Sequence, residues 1–198
     1  RTGNRYTGMN TVTHTATDAN VSRMWSQMYQ IVTNTNAIIA NESNIKKNAS
    51  ALEQEEAAQL VGEAYAVRAL VYFDLMKFFA RPLNFTADGS HLGVPLVIKP
   101  ITNITEVVYP ARNTAAEVYA QIDKDITAAI TLLPQTGNVI SNGVVNNTLF
   151  KIRMNRFSTL ALKARVSIYK SDWASAADAA NQVIASGRYA LYTFGNML

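Results

Sequence analysis

Two histidines, fourteen acidic residues and no cysteine bound the catalytic chemistry open to this chain of 198 residues. His14 and His91 stand in no metal-ligand spacing and beside no nucleophile motif. Without cysteine there is no thiolate zinc site, no disulfide and no cysteine nucleophile in this stretch. Asp123/Asp125 and Glu55/Glu56 are paired carboxylates, but a glycosidase needs its two carboxyls across a cleft. On the polar face of a helix such pairs read as solvated. The expectation is therefore no catalytic residue, no metal and no cofactor. Trp25, Tyr29, Tyr65, Tyr72 and Trp173 could stack on a ring, yet all fall at helical spacing among apolar neighbours and read as core. Binding a polyhydroxylated ligand takes an exposed aromatic face with amides or a guanidinium for the hydroxyls. Asn4, Arg5, Tyr6 and Asn10 supply that mixture. The plain alternative is an irregular, exposed lead-in.

The elements that must position these residues are mostly helices. Met24, Trp25, Met28, Ile31, Val32, Thr35, Ile38 and Ile39 recur at helical spacing, which predicts a helix from about Asn20 to Ala40. Ser50 followed by Glu53 fits a capping box and opens a second helix that runs to Phe79. Its second half is apolar nearly all round, so it packs on more than one side. Pro82 cannot continue it. Residues 81–112 hold four of the five prolines and form a long connection with a short extended piece at Val94–Ile98. Thr114 and Glu117 make another capping box for a third helix, with Val118, Ile122, Ile126, Ala129 and Leu133 on one face and Pro134 beyond. Gln135–Thr148 reads as a polar loop. A fourth helix covers Arg156–Tyr169, and a fifth runs from the cap Asp172 to Ala185, stopped by Gly187. Small residues at Ala161, Ala164, Ala176, Ala177 and Ala180 let these last two approach as a tetratricopeptide-type pair. The fold class is mainly all-α: antiparallel, tetratricopeptide-like helix pairs with long irregular connections.

Composition agrees. Hydrophobic residues are 48% and charged residues 16% of the chain, which is globular. No apolar run reaches the ~20 residues of a membrane helix. The net charge is +4, but the basic residues are scattered and Lys46–Lys47 is the only adjacent pair, so no nucleic-acid face forms.

Five motifs in order carry a family resemblance. They are Trp25–Tyr29–Ile31 with Asn36; Gly62-Glu63-Ala64-Tyr65-Ala66-Val67-Arg68-Ala69-Leu70-Val71-Tyr72-Phe73-Asp74-Leu75; Gly93-Val94-Pro95-Leu96-Val97; Arg112-Asn113-Thr114 through Glu117, Tyr119, Ile122, Asp125 and Leu133-Pro134; and Asp172-Trp173, Ala176 and Ser186 to Leu191. The chain resembles the helical, tetratricopeptide-containing part of SusD/RagB-type outer-membrane nutrient-binding proteins. Ala80 stands where that family has glycine. Within the second motif, Glu63 and Arg68 are expected to make internal charge-assisted hydrogen bonds. The resemblance implies a lipoprotein at the bacterial cell surface, anchored through a cysteine upstream of Arg1. It implies an oligosaccharide ligand, a SusC-like TonB-dependent transporter as partner, and capture without bond cleavage. Residues 1–198 are then one helical domain, a fragment of a longer protein. The region before the first repeat helix contributes to ligand sites in that family, which again points to Asn4–Asn10. Two rivals stay open: an interaction scaffold without a small ligand, and a helical hydrolase. A peptide or another nutrient is the alternative ligand within the family.

Overall fold

The computed structural model describes residues 18–46, 50–107 and 109–190, together with Thr11, Thr13 and Thr15. Six α-helices carry the fold: α1 (Ala19–Ala40), α2 (Glu42–Lys46), α3 (Ala51–Phe79), α4 (Ala115–Leu132), α5 (Arg156–Tyr169) and α6 (Trp173–Ala185). Their starts follow from side chains that satisfy the free amides of the first turn. Asp18 caps α1, and Ser50/Glu53 and Thr114/Glu117 close the two expected capping boxes. The Asn155 side chain accepts from the amides of Phe157 and Ser158 to start α5, and Asp172 caps α6. Gly187, at φ 63°, ends α6 as expected.

The helices pack as antiparallel neighbours in chain order. Trp25 near the start of α1 meets Phe79 at the end of α3, with ring centroids 4.9 Å apart. Gly62 in α3 lies against Leu132 and Leu133 at the end of α4, where a Cβ would come within 3.1 Å of both. A larger side chain there would force α3 and α4 apart. Lys170 at the end of α5 pairs with Asp123 of α4, and α6 folds back on α5 through a link in which Ser171 adopts φ 59°. The core is centred on the second half of α3. Tyr72, Phe73, Leu75 and Met76 are buried there with Val118, Ile122 and Ile126 of α4, Leu162 and Val166 of α5, and Val32 of α1. Burying each such side chain stabilises by about 1.5–3 kcal/mol.

The structure corrects the sequence reading in four places. Gln135–Thr148 is not all loop: β1 (Val139–Ser141) and β2 (Val144–Asn146) pair antiparallel around Asn142-Gly143, at φ 53° and 68°. Two consecutive left-handed residues are what a two-residue hairpin of the primed type requires. The helix α2 has no counterpart in the sequence reading, having too few apolar residues to show a period. Trp173 is not core but 66% exposed at the first turn of α6. Of the alanines assigned to the α5–α6 seam, Ala176 is buried, while Ala161 and Ala177 are exposed and Ala179 takes the inner position.

Candidate functional site

The most polar ground in the interior is a network around Arg68. Its Nε and Nη2 donate to the two carboxylate oxygens of Asp125, at 2.8 and 2.6 Å. Its Nη1 donates to Asn36 Oδ1 at 2.8 Å. Gln121 adds a bond to Asp125 at 2.8 Å. Arg68 is thus held by internal charge-assisted bonds, as expected. Asp125 corrects the sequence reading, because it is 0% exposed rather than on a solvated face. The signal was available: position 125 lies three after Ile122 and four before Ala129, on the buried stripe. Two charges leave water here because each is paired and hydrogen-bonded, and no buried side-chain nitrogen or oxygen of the described residues is without a partner.

The network reaches onward to the connection after α3. Asn36 Nδ2 donates to the carbonyls of Val97 (2.8 Å) and Lys99 (3.3 Å). Tyr72 donates to Val97 O at 2.9 Å and accepts from Val97 N at 2.7 Å. Tyr29 donates to Pro95 O at 2.8 Å, and Arg112 Nε to Gly93 O at 2.6 Å. The carbonyls of residues 93, 95, 97 and 99 therefore face the helices with the period of two of an extended chain. The expected extended piece exists: backbone bonds to Asn113 hold its start, with Gly93 N donating to Asn113 O at 2.7 Å and Asn113 N to Val94 O at 3.3 Å, and side chains hold the rest. Burial pushes the Tyr72 phenol up to about 12, and burial also raises that of Tyr29. Both are structural donors, and Trp25 packs on Tyr29 with centroids 4.8 Å apart.

Asn4, Arg5, Tyr6 and Asn10, with His14, lie outside the described residues. Asp18, the cap of α1, stands at the end of the bundle where Trp25 meets Phe79. At that end the chain turns after α3. Pro82 stops the helix run and Leu83–Phe85 makes one tight turn. Gly89, at φ 67°, fits where a Cβ would strike Leu83 at 2.9 Å and the Ala116 amide at 3.2 Å. The turn displays Phe85, 59% exposed, with the Arg81 guanidinium 5.3 Å from its ring centre. The His91 ring stands edge-on to Phe85 at 5.4 Å, fixed by Thr86 Oγ1 at 2.9 Å from Nδ1. The Asn84 side chain is exposed beside them. An exposed ring, a guanidinium and an amide are what binding a sugar calls for. The sequence reading missed this set because Phe85, Arg81 and His91 follow no periodic pattern.

A second hollow lies farther along the same connection. It holds about 650 Å³ between Leu96, Val97, Ile98, Pro100, Ile101 and Pro110. The Glu106 carboxylate closes its tip by accepting from the amide and hydroxyl of Thr102, both at 2.9 Å, and those bonds hold its pKa below the ordinary value. Its lining is mainly aliphatic, with Lys99, Thr102 and Glu106 as the polar members, and offers a sugar no aromatic face.

The carboxylates considered for catalysis have other partners. Asp123 meets Lys170; Glu63, expected as an internally bonded charge, accepts from Arg153 Nη2 at 2.8 Å. Glu56 accepts from the amides of Asn142 and Gly143 at 3.0 and 2.9 Å. Among the described residues no group of three or more His, Asp or Glu could hold a metal ion. No described helix is long and apolar enough to cross a membrane.

A family model for SusD-like proteins, described as starch-binding and associating with the outer membrane, matches residues 2–167. The chain is similar to a SusD-like protein of Formosa agariphila, 30% identical over 135 residues, which cover 68% of this chain and 22% of that one. It is similar to the crystal structure of a SusD superfamily protein from Bacteroides vulgatus, at 30% identity and TM-score 0.72 over 91% of this chain and 37% of that one. A SusD superfamily structure from Bacteroides thetaiotaomicron aligns at 28% identity and TM-score 0.71, over 87% and 34%. The chain thus spans about a fifth of the curated relative and about a third of these structures.

Proposed function

The chain belongs to the SusD-like family of non-catalytic, outer-membrane-associated binding proteins, and from that premise we propose that it captures an oligosaccharide at the bacterial cell surface. In this reading it is the helical part of a longer, lipid-anchored protein. It hands its ligand to a SusC-like TonB-dependent transporter without breaking a bond. The observation that carries the reading is the exposed Phe85 ring with Arg81 over it and Asn84 alongside. Asn4, Arg5, Tyr6 and Asn10 are proposed to join them.

Calorimetric titration of the full chain with a panel of oligosaccharides, α-glucans first, tests this. The expected result is saturable binding that weakens at least about tenfold in Phe85→Ala and Arg81→Ala, the scale of a stacked or guanidinium anchor. Tyr6→Ala is the corresponding variant in the lead-in. Loss of binding in none of them sinks this site. A second reading, a scaffold without a small ligand, draws on the aliphatic groove and on the exposed Trp173 and Ile184. It is favoured if the chain binds no glycan and instead retains a protein partner. A peptide or other nutrient as ligand is favoured if the Phe85 variant loses that ligand and glycans never bind.

A further inference from the structure

Tyr119 is the one aromatic residue of α4, and its burial is unusual in kind. The residue is only 3% exposed, and its hydroxyl has no hydrogen-bond partner among the described residues. No sealed-off side-chain oxygen or nitrogen among them lacks a partner, so this hydroxyl is itself open to solvent and free to bond a ligand. The same side chain lines two adjoining hollows. One, of about 340 Å³, lies between Asn84, Asp88, Gly89, Ala116 and Lys170. The other, of about 140 Å³, lies between Met76, Lys77, Ala80, Pro82 and Tyr169. Pro82 and Leu83, like Tyr169 and Lys170, are chain neighbours split between the two, so the hollows are successive stretches of one groove. Tyr119 is its floor.

The chemistry of the walls selects a ligand. Tyr169 is 49% exposed, its edge is set against Phe73 at 5.0 Å, and its hydroxyl also lacks a partner among the described residues. The two lysines that line the groove are already matched: Lys77 Nζ lies 2.6 Å from Asp74, and Lys170 pairs with Asp123. Asp88 is exposed and anionic, held by the Ser90 amide at 3.0 Å. An anion would find both cations engaged and a carboxylate facing it. Burial, and then the neighbouring Tyr169 phenol, push the Tyr119 phenol up to about 12, so it stays neutral and can donate and accept. The larger hollow alone falls at the lower end of the ~300–1,000 Å³ range of small-ligand sites.

We infer that this groove is a binding subsite for one end of a neutral saccharide, with the Tyr119 and Tyr169 hydroxyls bonding the sugar's hydroxyls and Pro82 and Leu83 covering its apolar face. The inference rests on the capture reading, since it assumes a glycan ligand, but it uses residues distinct from Arg81 and Phe85.

The test is calorimetry of the full chain, wild type against Tyr119→Phe, Tyr169→Phe and Phe85→Ala, with neutral and uronate-bearing oligosaccharides of equal length. Tyr119→Phe keeps the packing and removes only the hydroxyl, so its melting temperature is expected to equal or exceed that of wild type. Its affinity for neutral oligosaccharide is expected to fall about five- to tenfold, and wild type is expected to prefer neutral over uronate ligands. Unchanged affinity in both tyrosine variants, while Phe85→Ala is weakened, overturns the groove and leaves the capture reading standing. Preference for the uronate ligand overturns the groove as well. A wild-type chain that binds no saccharide overturns both.

Discussion

The two halves of α3 each hold an irregular piece of chain, and they do it with different chemistry. The second half fixes the extended run at residues 93–99 directly with Tyr72 and, through Asn36, with Arg68, whose charge Asp125 pairs. There the anchoring charges are wholly out of water. The first half uses Glu56, Gln59 and Glu63 to fix the hairpin and the chain before α5. Gln59 stands in for a missing strand: Ile140 N donates to its Oε1 at 2.7 Å and its Nε2 donates to Ile140 O at 3.2 Å. Ile140 pairs with Val145 at the non-hydrogen-bonded position of the hairpin, so its own amide and carbonyl point away from β2 and toward α3. The difference shows how a side chain can replace backbone pairing in two ways. A buried ion pair does so at high stakes, and a neutral amide does so at low stakes.

Stability measurements can break or sharpen that contrast. The largest effect is expected from Asp125→Ala, which strands a buried guanidinium and should cost about 3–5 kcal/mol in urea unfolding. The double variant Arg68→Met with Asp125→Leu should recover most of the loss, because no charge is left unpaired. A cost below about 1 kcal/mol for Asp125→Ala would show that water reaches Arg68 and that the two halves are alike. Next in size is Gln59→Leu, which leaves the Ile140 amide and carbonyl unpaired and should cost about 2–3 kcal/mol. Glu56→Ala should cost about 1 kcal/mol, read most directly as faster hydrogen exchange at the Asn142 and Gly143 amides. The smallest effect is a pH dependence. Burial raises the Glu63 carboxyl pKa, with Arg153 and Gln59 pulling it partly back. The folded state therefore holds the proton more tightly than the unfolded chain does. The contribution of Glu63 is full below the ordinary Glu pKa and is lost as pH rises through the raised value. Glu63→Gln should accordingly gain stability relative to wild type as pH rises above the ordinary Glu range. A difference that stays flat over that rise would mean that Arg153 fully offsets the burial.

Much of this was legible in the residues, and the rest was not for definable reasons. The bounds of α1, α3, α4, α5 and α6 follow from apolar spacing and from Ser50, Thr114 and Asp172, all local signals. Arg68 was legible as an internally bonded charge because the apolar helix around it allowed nothing else. Its partner was not, because Asp125 next to Asp123 looks like one of a solvated pair until the stripe from Ile122 to Ala129 is counted. The hairpin had its Asn142-Gly143 turn in plain view, but three-residue strands are too short to show alternation. The Phe85, Arg81 and His91 cluster and the Tyr119 groove depend on contacts between the turn, α4 and α5. Those contacts are set by packing, which no single segment encodes.

The extended run at 93–99 also has a consequence in time. Its anchors join residues far apart in sequence: Tyr29 to Pro95 spans 66 positions and Asn36 to Val97 spans 61. Helices form from local contacts, while links of this span must wait for the helices to meet. The run should therefore settle late in folding. In the native state, where a few side-chain bonds and a short backbone pairing with Asn113 hold the run, residues 93–110 should open together as one cooperative unit before the bundle itself unfolds.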